Sequence, residues 1–132
     1  MSEDPEVLLR PLGDLPPDIM EDWSLGRFDS CLAKCDAILE GEENPPEMAR
    51  VFRGRILSRR ADHEGAIVCF QEVVEKVPVF YPVWEMLGES LLLTGNYSRA
   101  LVSYCRSAKL SPSRIAPWCG AAIAAHRMND KK

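Results

Sequence analysis

Apolar positions along this chain recur in a helical rhythm that is broken at regular intervals. The stretch "LGESLLLTGNYSRALVSY", residues 87–104, shows the pattern most clearly. Helix formers run up to a break at Thr94-Gly95-Asn96 and resume with Tyr97, Ala100, Leu101 and Tyr104, at the spacings that place residues on one helix face. Gly95 suits the positive-φ residue that ends a helix, and Asn96 suits the cap of the next one. Gly88 and Ala100, small residues on either side of the break, let two helix axes approach, so the stretch predicts a tight antiparallel hairpin. Ser111-Pro112-Ser113 then stops the second helix.

The hairpin is repeated. Shifted by 34 positions, Gly88 falls on Gly54, Leu91 on Leu57, Gly95 on Ala61, Tyr97 on His63, Ala100 on Ala66, Tyr104 on Phe70 and Pro112 on Pro78. Further upstream, "GRFDSCLAKCDAIL" sets Gly26, Phe28, Cys31 and Cys35 at the same places, with Trp23 as the anchor of a short helix begun by Pro16-Pro17. Downstream, Trp118 lies one 34-residue step beyond Trp84. The pattern predicts helices over 17–25, 28–40, 47–60, 64–76, 81–94, 97–110 and 115–128, after an acidic, mobile arm over 1–15.

Trp84, Leu87, Gly88, Gly95, Tyr97, Ala100, Tyr104 and Pro112 follow a W-x₂-L-G … G-x-Y-x₂-A-x₃-F … P order, and by them residues 47–112 resemble two tetratricopeptide repeats. The earlier repeat keeps Gly54, Leu57, Ala66, Phe70 and Pro78 but has Arg50 and Arg53 in the Trp and Leu places. The resemblance implies an all-α fold, a right-handed α-solenoid of about three helix hairpins plus a closing helix. Its repeats fall at about 16–45, 47–80 and 81–114, the closing helix at 115–128 completes a domain over 16–128, and 129–132 form a tail. It also implies a concave binding surface lined by the first helix of each pair. The inward places hold Met48, Val51, Arg55 and Ser58 in one repeat and Pro82, Glu85, Glu89 and Leu92 in the next. Arg55 and Arg59 are thereby expected to face Glu85 and Glu89, as ion pairs or as a polar ligand site. The family's clamp for the C-terminal carboxylate of heat-shock chaperones needs Lys, Asn and Arg where this chain has Pro16, Met20, Phe52, Pro82 and Met86, which argues against that partner.

Composition narrows the picture further. In 132 residues, 46% of them apolar, there is material for one domain core, and no apolar run is long enough to cross a bilayer. Five cysteines without CxxC spacing, behind an acidic N-terminus unlike a secretion signal, point to reduced thiols and an intracellular, cytoplasmic protein. The net charge of −4 hides an asymmetry: residues 1–49 hold 13 acidic against three basic side chains, residues 50–132 seven against 13.

Little of the remaining chemistry suggests catalysis. His63 and His126 are the two histidines, and His63 takes a core place of the repeat. Cys31 and Cys35, at i and i+4, fall on core places where a small apolar residue is wanted, so packing is favoured over a metal site. Cys119 with His126 makes no recognisable nucleophile pair, and no phosphate loop or metal motif is present. The run Arg50, Arg53, Arg55, Arg59 and Arg60 raises nucleic-acid binding through helix 50–60, but a sequence pI near 5.2 and the company of a single aromatic, Phe52, argue against it. "DPEVLL" fits an acidic dileucine pattern, and Leu8, Leu9, Leu12 and Leu15 form an apolar strip that can dock on the protein's own groove or on another copy.

These observations predict a non-enzymatic adaptor or scaffold without cofactor or metal, which binds a peptide segment or neighbouring subunit through Arg55, Arg59, Glu85, Glu89 and Leu92. An assembly or secretion chaperone that masks an apolar client segment is the second reading. The apolar closing helix offers Trp118 and Ile123 as a contact for a second copy or for the next repeat of a longer array.

Overall fold

The computed structural model describes residues 12–130. Among them are seven helices and no strand: α1 Pro17–Ser24, α2 Phe28–Gly41, α3 Glu47–Arg59, α4 His63–Lys76, α5 Tyr81–Leu93, α6 Tyr97–Leu110 and α7 Ile115–Asp130. Their ends lie within two residues of those that the apolar pattern predicts. Each helix packs on its neighbours in sequence, and α7 closes on α6 while also touching α5. The result is a solenoid of three hairpins and a closing helix, in which each unit meets only the next.

The breaks inside the three hairpins are one motif used three times. Gly26, Ala61 and Gly95 all adopt positive φ, at 74°, 64° and 83°. In each, the following residue donates its N–H back over five positions: Arg27 to Asp22 O, Asp62 to Leu57 O and Asn96 to Leu91 O, all at 2.8 Å. The positive-φ residue donates over three, to Trp23 O, Ser58 O and Leu92 O. This is the Schellman arrangement, which satisfies helix carbonyls that would otherwise lack a partner. Caps at the start of the second helices vary more. Asp62 accepts from the Gly65 N–H at 3.0 Å, whereas Asn96 makes no cap and its amide donates to Thr94 Oγ1 instead.

Glycines on the first helices make room for rings rather than for each other. A Cβ on Gly54 would lie 2.6 Å from the Phe70 ring, and one on Gly88 would lie 3.0 Å from the Tyr104 ring. Gly120 of α7 meets Tyr104 from its own helix, where a Cβ would come within 2.4 Å. Ile19, Ile56, Val73, Val83, Leu87 and Leu91, all buried, belong to the same core. Between α1 and α2 the buried Asp22 accepts from Ser30 Oγ at 2.7 Å and pairs with Lys34 at 2.8 Å. The lysine ammonium, then the Ser30 hydroxyl, holds its carboxyl below the usual range.

Two expectations change here. Leu12, assigned to a mobile arm over 1–15, is 1% exposed in the core, and Leu15 packs against it. Gly13 permits this by its positive φ and by lying against Pro46, where a Cβ would be 2.8 Å away. The dileucine pattern with Leu8 and Leu9 lies outside the described residues. Met48 and Val51, expected to face the groove, are buried instead.

Candidate functional site

The basic run on α3 divides by helix face. On the side toward α2 and α4, Arg53 donates to Asp36 Oδ1 at 2.9 Å and lies 2.9 Å from Cys69 Sγ, while Arg50 pairs with Glu47 at 2.7 Å and Glu72 at 3.0 Å. Arg60, just past the helix, pairs with Asp29. Arg50 and Arg53 hold the places that Trp84 and Leu87 fill one repeat later, so an ionic network stands there in the place of an apolar contact. Asp29 and Asp36 come from the acidic half of the chain, which thereby neutralises part of the basic run locally.

Arg55 and Arg59, one turn apart, sit on the side facing α1 and α5. The expected ion pairs with Glu85 and Glu89 do not form. The Arg55 guanidinium lies 4.4 Å from the Trp23 ring centroid and that of Arg59 lies 4.7 Å from Phe28. Trp23 in turn stacks on Phe52 with ring centroids 4.8 Å apart, so both Arg55 and Phe52 of α3 pack on the Trp23 indole. Desolvation, and after it the like charge of Arg59, lowers the Arg55 pKa from its ordinary value. Glu85 turns the other way, to Arg114 at 2.5 Å, and Arg114 also covers the Tyr81 ring.

An open pocket of about 250 Å³ lies between these elements, lined by Trp23, Arg55, Ser58, Arg59, Met86 and Glu89. Its walls belong to α1, α3 and α5, the first helices of the three hairpins, with Phe70 of α4 at the floor. Of the five residues read as a binding face, the structure brings three together: Arg55, Arg59 and Glu89. Glu85 is committed to Arg114, and Leu92 is half-buried against the core. The aromatic contribution of Trp23 and Phe28 is added by the fold. Its signal in the sequence is the aromatic pair flanking the Gly26 turn, one repeat before the paired arginines.

Other candidate groups have simpler surroundings. Cys31 and Cys35 are buried, and burial raises both thiol pKa values, that of Cys35 to about 12. Cys69 is likewise buried, with its pKa raised chiefly by desolvation, despite the nearby Arg53. Cys119 is exposed, and His126 lies at the surface 3.4 Å from Asp130. On α7, Ile115, Trp118 and Ile123 are 75%, 50% and 47% exposed, a larger apolar display than any other helix face carries. The Trp118 indole donates to Pro112 O as Trp84 donates to Pro78 O, so α7 occupies the place of the first helix of a fourth repeat. No helix among the described residues is long and apolar enough to cross a membrane.

Comparison with known proteins agrees with this geometry. No family model matches the sequence. Superkiller complex protein 3 of Homo sapiens is 32% identical over 63 residues, which is 48% of this chain and 4% of that protein. Tetratricopeptide repeat protein 21A of Mus musculus is 32% identical over 91 residues, 69% of this chain and 7% of that protein. The peroxisomal targeting signal 1 receptor of Dictyostelium discoideum is 25% identical over 89 residues, 67% and 14% respectively. The chain thus spans a small fraction of the length of these relatives. Among solved structures, PcrH from Pseudomonas aeruginosa superposes with a TM-score of 0.66 at 15% identity, covering 98% of this chain and 93% of that one, and so shares the fold.

Proposed function

Because this chain belongs to the tetratricopeptide-repeat family, we propose that it is a non-enzymatic protein-interaction module that holds a peptide segment or neighbouring subunit on the face formed by α1, α3 and α5. One observation carries the reading: the pocket in which Arg55, Arg59 and Glu89 converge with Trp23 and Met86. Charged groups there stand on an apolar wall, which is the combination that orients a ligand while desolvating it. The helices beneath are packed before binding, so the receptor loses little entropy when a partner segment is ordered on it. Relatives named as a targeting-signal receptor and as a component of a complex are consistent with binding work. The exposed Trp118 and Ile123 of α7 supply a second contact surface, for another copy or for a further repeat.

Selection of binders from a random peptide display library tests the proposal, with variants on opposite faces. Arg55→Glu and Glu89→Lys should abolish binding by the selected peptides. Val68→Glu and Val102→Glu, at exposed positions of α4 and α6 remote from the pocket, should leave it intact. Binders sensitive only to the second pair would move the site elsewhere.

A further inference from the structure

The two arginines of the pocket differ from the other cations of α3 in one respect. Arg50 and Arg53, and Arg60 just beyond the helix, each hold a carboxylate of this chain. Arg55 and Arg59 hold aromatic faces, and among the described residues neither closes an ion pair. A guanidinium held over a ring is attracted by the ring's π face through its charge, a contact that does not use up its N–H donors. The rings also restrict its movement, so less freedom is lost when those donors are engaged. Two such cations four residues apart on one helix repel each other, and an anion between them removes that repulsion. Glu89 shares the pocket from α5 without pairing to either.

We propose that this pocket recognises an acidic side chain, Asp or Glu, within an extended peptide, its carboxylate bridging Arg55 and Arg59 while an adjacent apolar residue lies on Trp23 and Met86. The inference rests on the binding reading above and adds the chemistry of the ligand. Charge complementarity supports it: the carboxylate replaces water on two pre-oriented forks, and planar guanidinium–carboxylate geometry favours bidentate contact. Trp23 and Met86 supply the apolar neighbour that shields this contact from solvent. Glu89 limits the accepted charge, since a second acid next to the first would face it.

The test uses the full chain and arrays of random decapeptides blocked at both ends, so that no terminal carboxylate is offered. Bound peptides should be enriched in one Asp or Glu beside a large apolar residue. Arg55→Gln and Arg59→Gln should each weaken the best of them by about tenfold or more, the scale of a lost hydrogen bond to a charged group. Arg55→Lys, which keeps the charge but loses the stacked fork, should recover only part of that loss. Circular dichroism and thermal melts establish that each variant is folded. Peptides that bind this face without acidic enrichment, or bind equally well to the Gln variants, overturn the carboxylate inference and leave the interaction face standing. A requirement for a free C-terminal carboxylate likewise overturns the side-chain assignment. If no peptide binding depends on Arg55, Trp23 or Glu89, both readings fail.

Discussion

Ala61 performs a glycine's task without being one. It occupies the left-handed position that Gly26 and Gly95 fill in the neighbouring hairpins, with a φ of 64°. A Cβ in that region costs roughly 1–2 kcal/mol, partly offset by the lower entropy of an unfolded Ala relative to Gly. Ala61→Gly should therefore stabilise the protein by about 0.5–1 kcal/mol, readable as a higher urea midpoint at an unchanged slope. Tyr104 makes a prediction in pH. Burial, reinforced by the charges of Glu89 and Glu85, raises its phenol pKa to about 12. The folded state thus holds this proton more tightly than the unfolded chain, whose tyrosines titrate near about 10. Its contribution to stability is complete below about pH 10 and is lost as pH rises through 12. A Tyr104→Phe variant should lack the last phenolate to appear in an alkaline absorbance titration, and its stability should decline less over that interval. A phenolate lost from the early part of the titration would contradict the burial argument.

Helix by helix, the architecture was legible because a short run of small residues and rings recurs every 34 or 35 positions, and each recurrence forces the same hairpin. What this periodicity does not contain is the stagger of one hairpin on the next. Arg55 and Glu85 have groove-facing places in adjacent repeats, yet Arg55 reaches back to Trp23 of α1 and Glu85 reaches forward to Arg114 beside α7. Register along a helix says which face a residue occupies, and the lateral partner depends on side-chain reach and on which rings stand nearby. Close approach of helices also changes its meaning here, because Gly54, Gly88 and Gly120 each accommodate a ring. Gly120→Ala sets a new methyl 2.4 Å from Tyr104, a contact neither element can yield without repacking α6 on α7. A loss of about 1–3 kcal/mol is expected from overpacking, set against a gain of up to about 1 kcal/mol in helix propensity. Gly41→Ala, with nothing within 4 Å of the added methyl, supplies the control, and thermal melts of the pair separate packing from propensity. Equal melting temperatures would show that the Tyr104 ring moves aside freely.

Among the described residues, each hairpin packs chiefly on its neighbours, and opposed charge joins the first hairpin to the second. Asp36 and Asp29 of α2 meet Arg53 and Arg60 across that junction. Both pairs are more than a third open to solvent, so added salt screens them. Raising sodium chloride to about 1 M should lower stability by roughly 1 kcal/mol, and Asp29→Asn with Asp36→Asn should reduce that dependence. The charge asymmetry was visible in the sequence, but its use as a junction was not, since pairing needs the two hairpins to be stacked first. The indole places have an optical consequence as well. Trp23, Trp84 and Trp118 stand on α1, α5 and α7, while α3 has Arg50 at the place of Trp84 and Trp118 and the α3–α4 hairpin contains no tryptophan. Emission on unfolding therefore reports the far end of the stack through Trp84 and Trp118, and the first hairpin with the α3 face that Trp23 packs against through Trp23. Trp118, half open to solvent, is the indole that a soluble quencher reaches most readily, and Trp23, beneath the Arg55 guanidinium, changes its light when the groove is occupied.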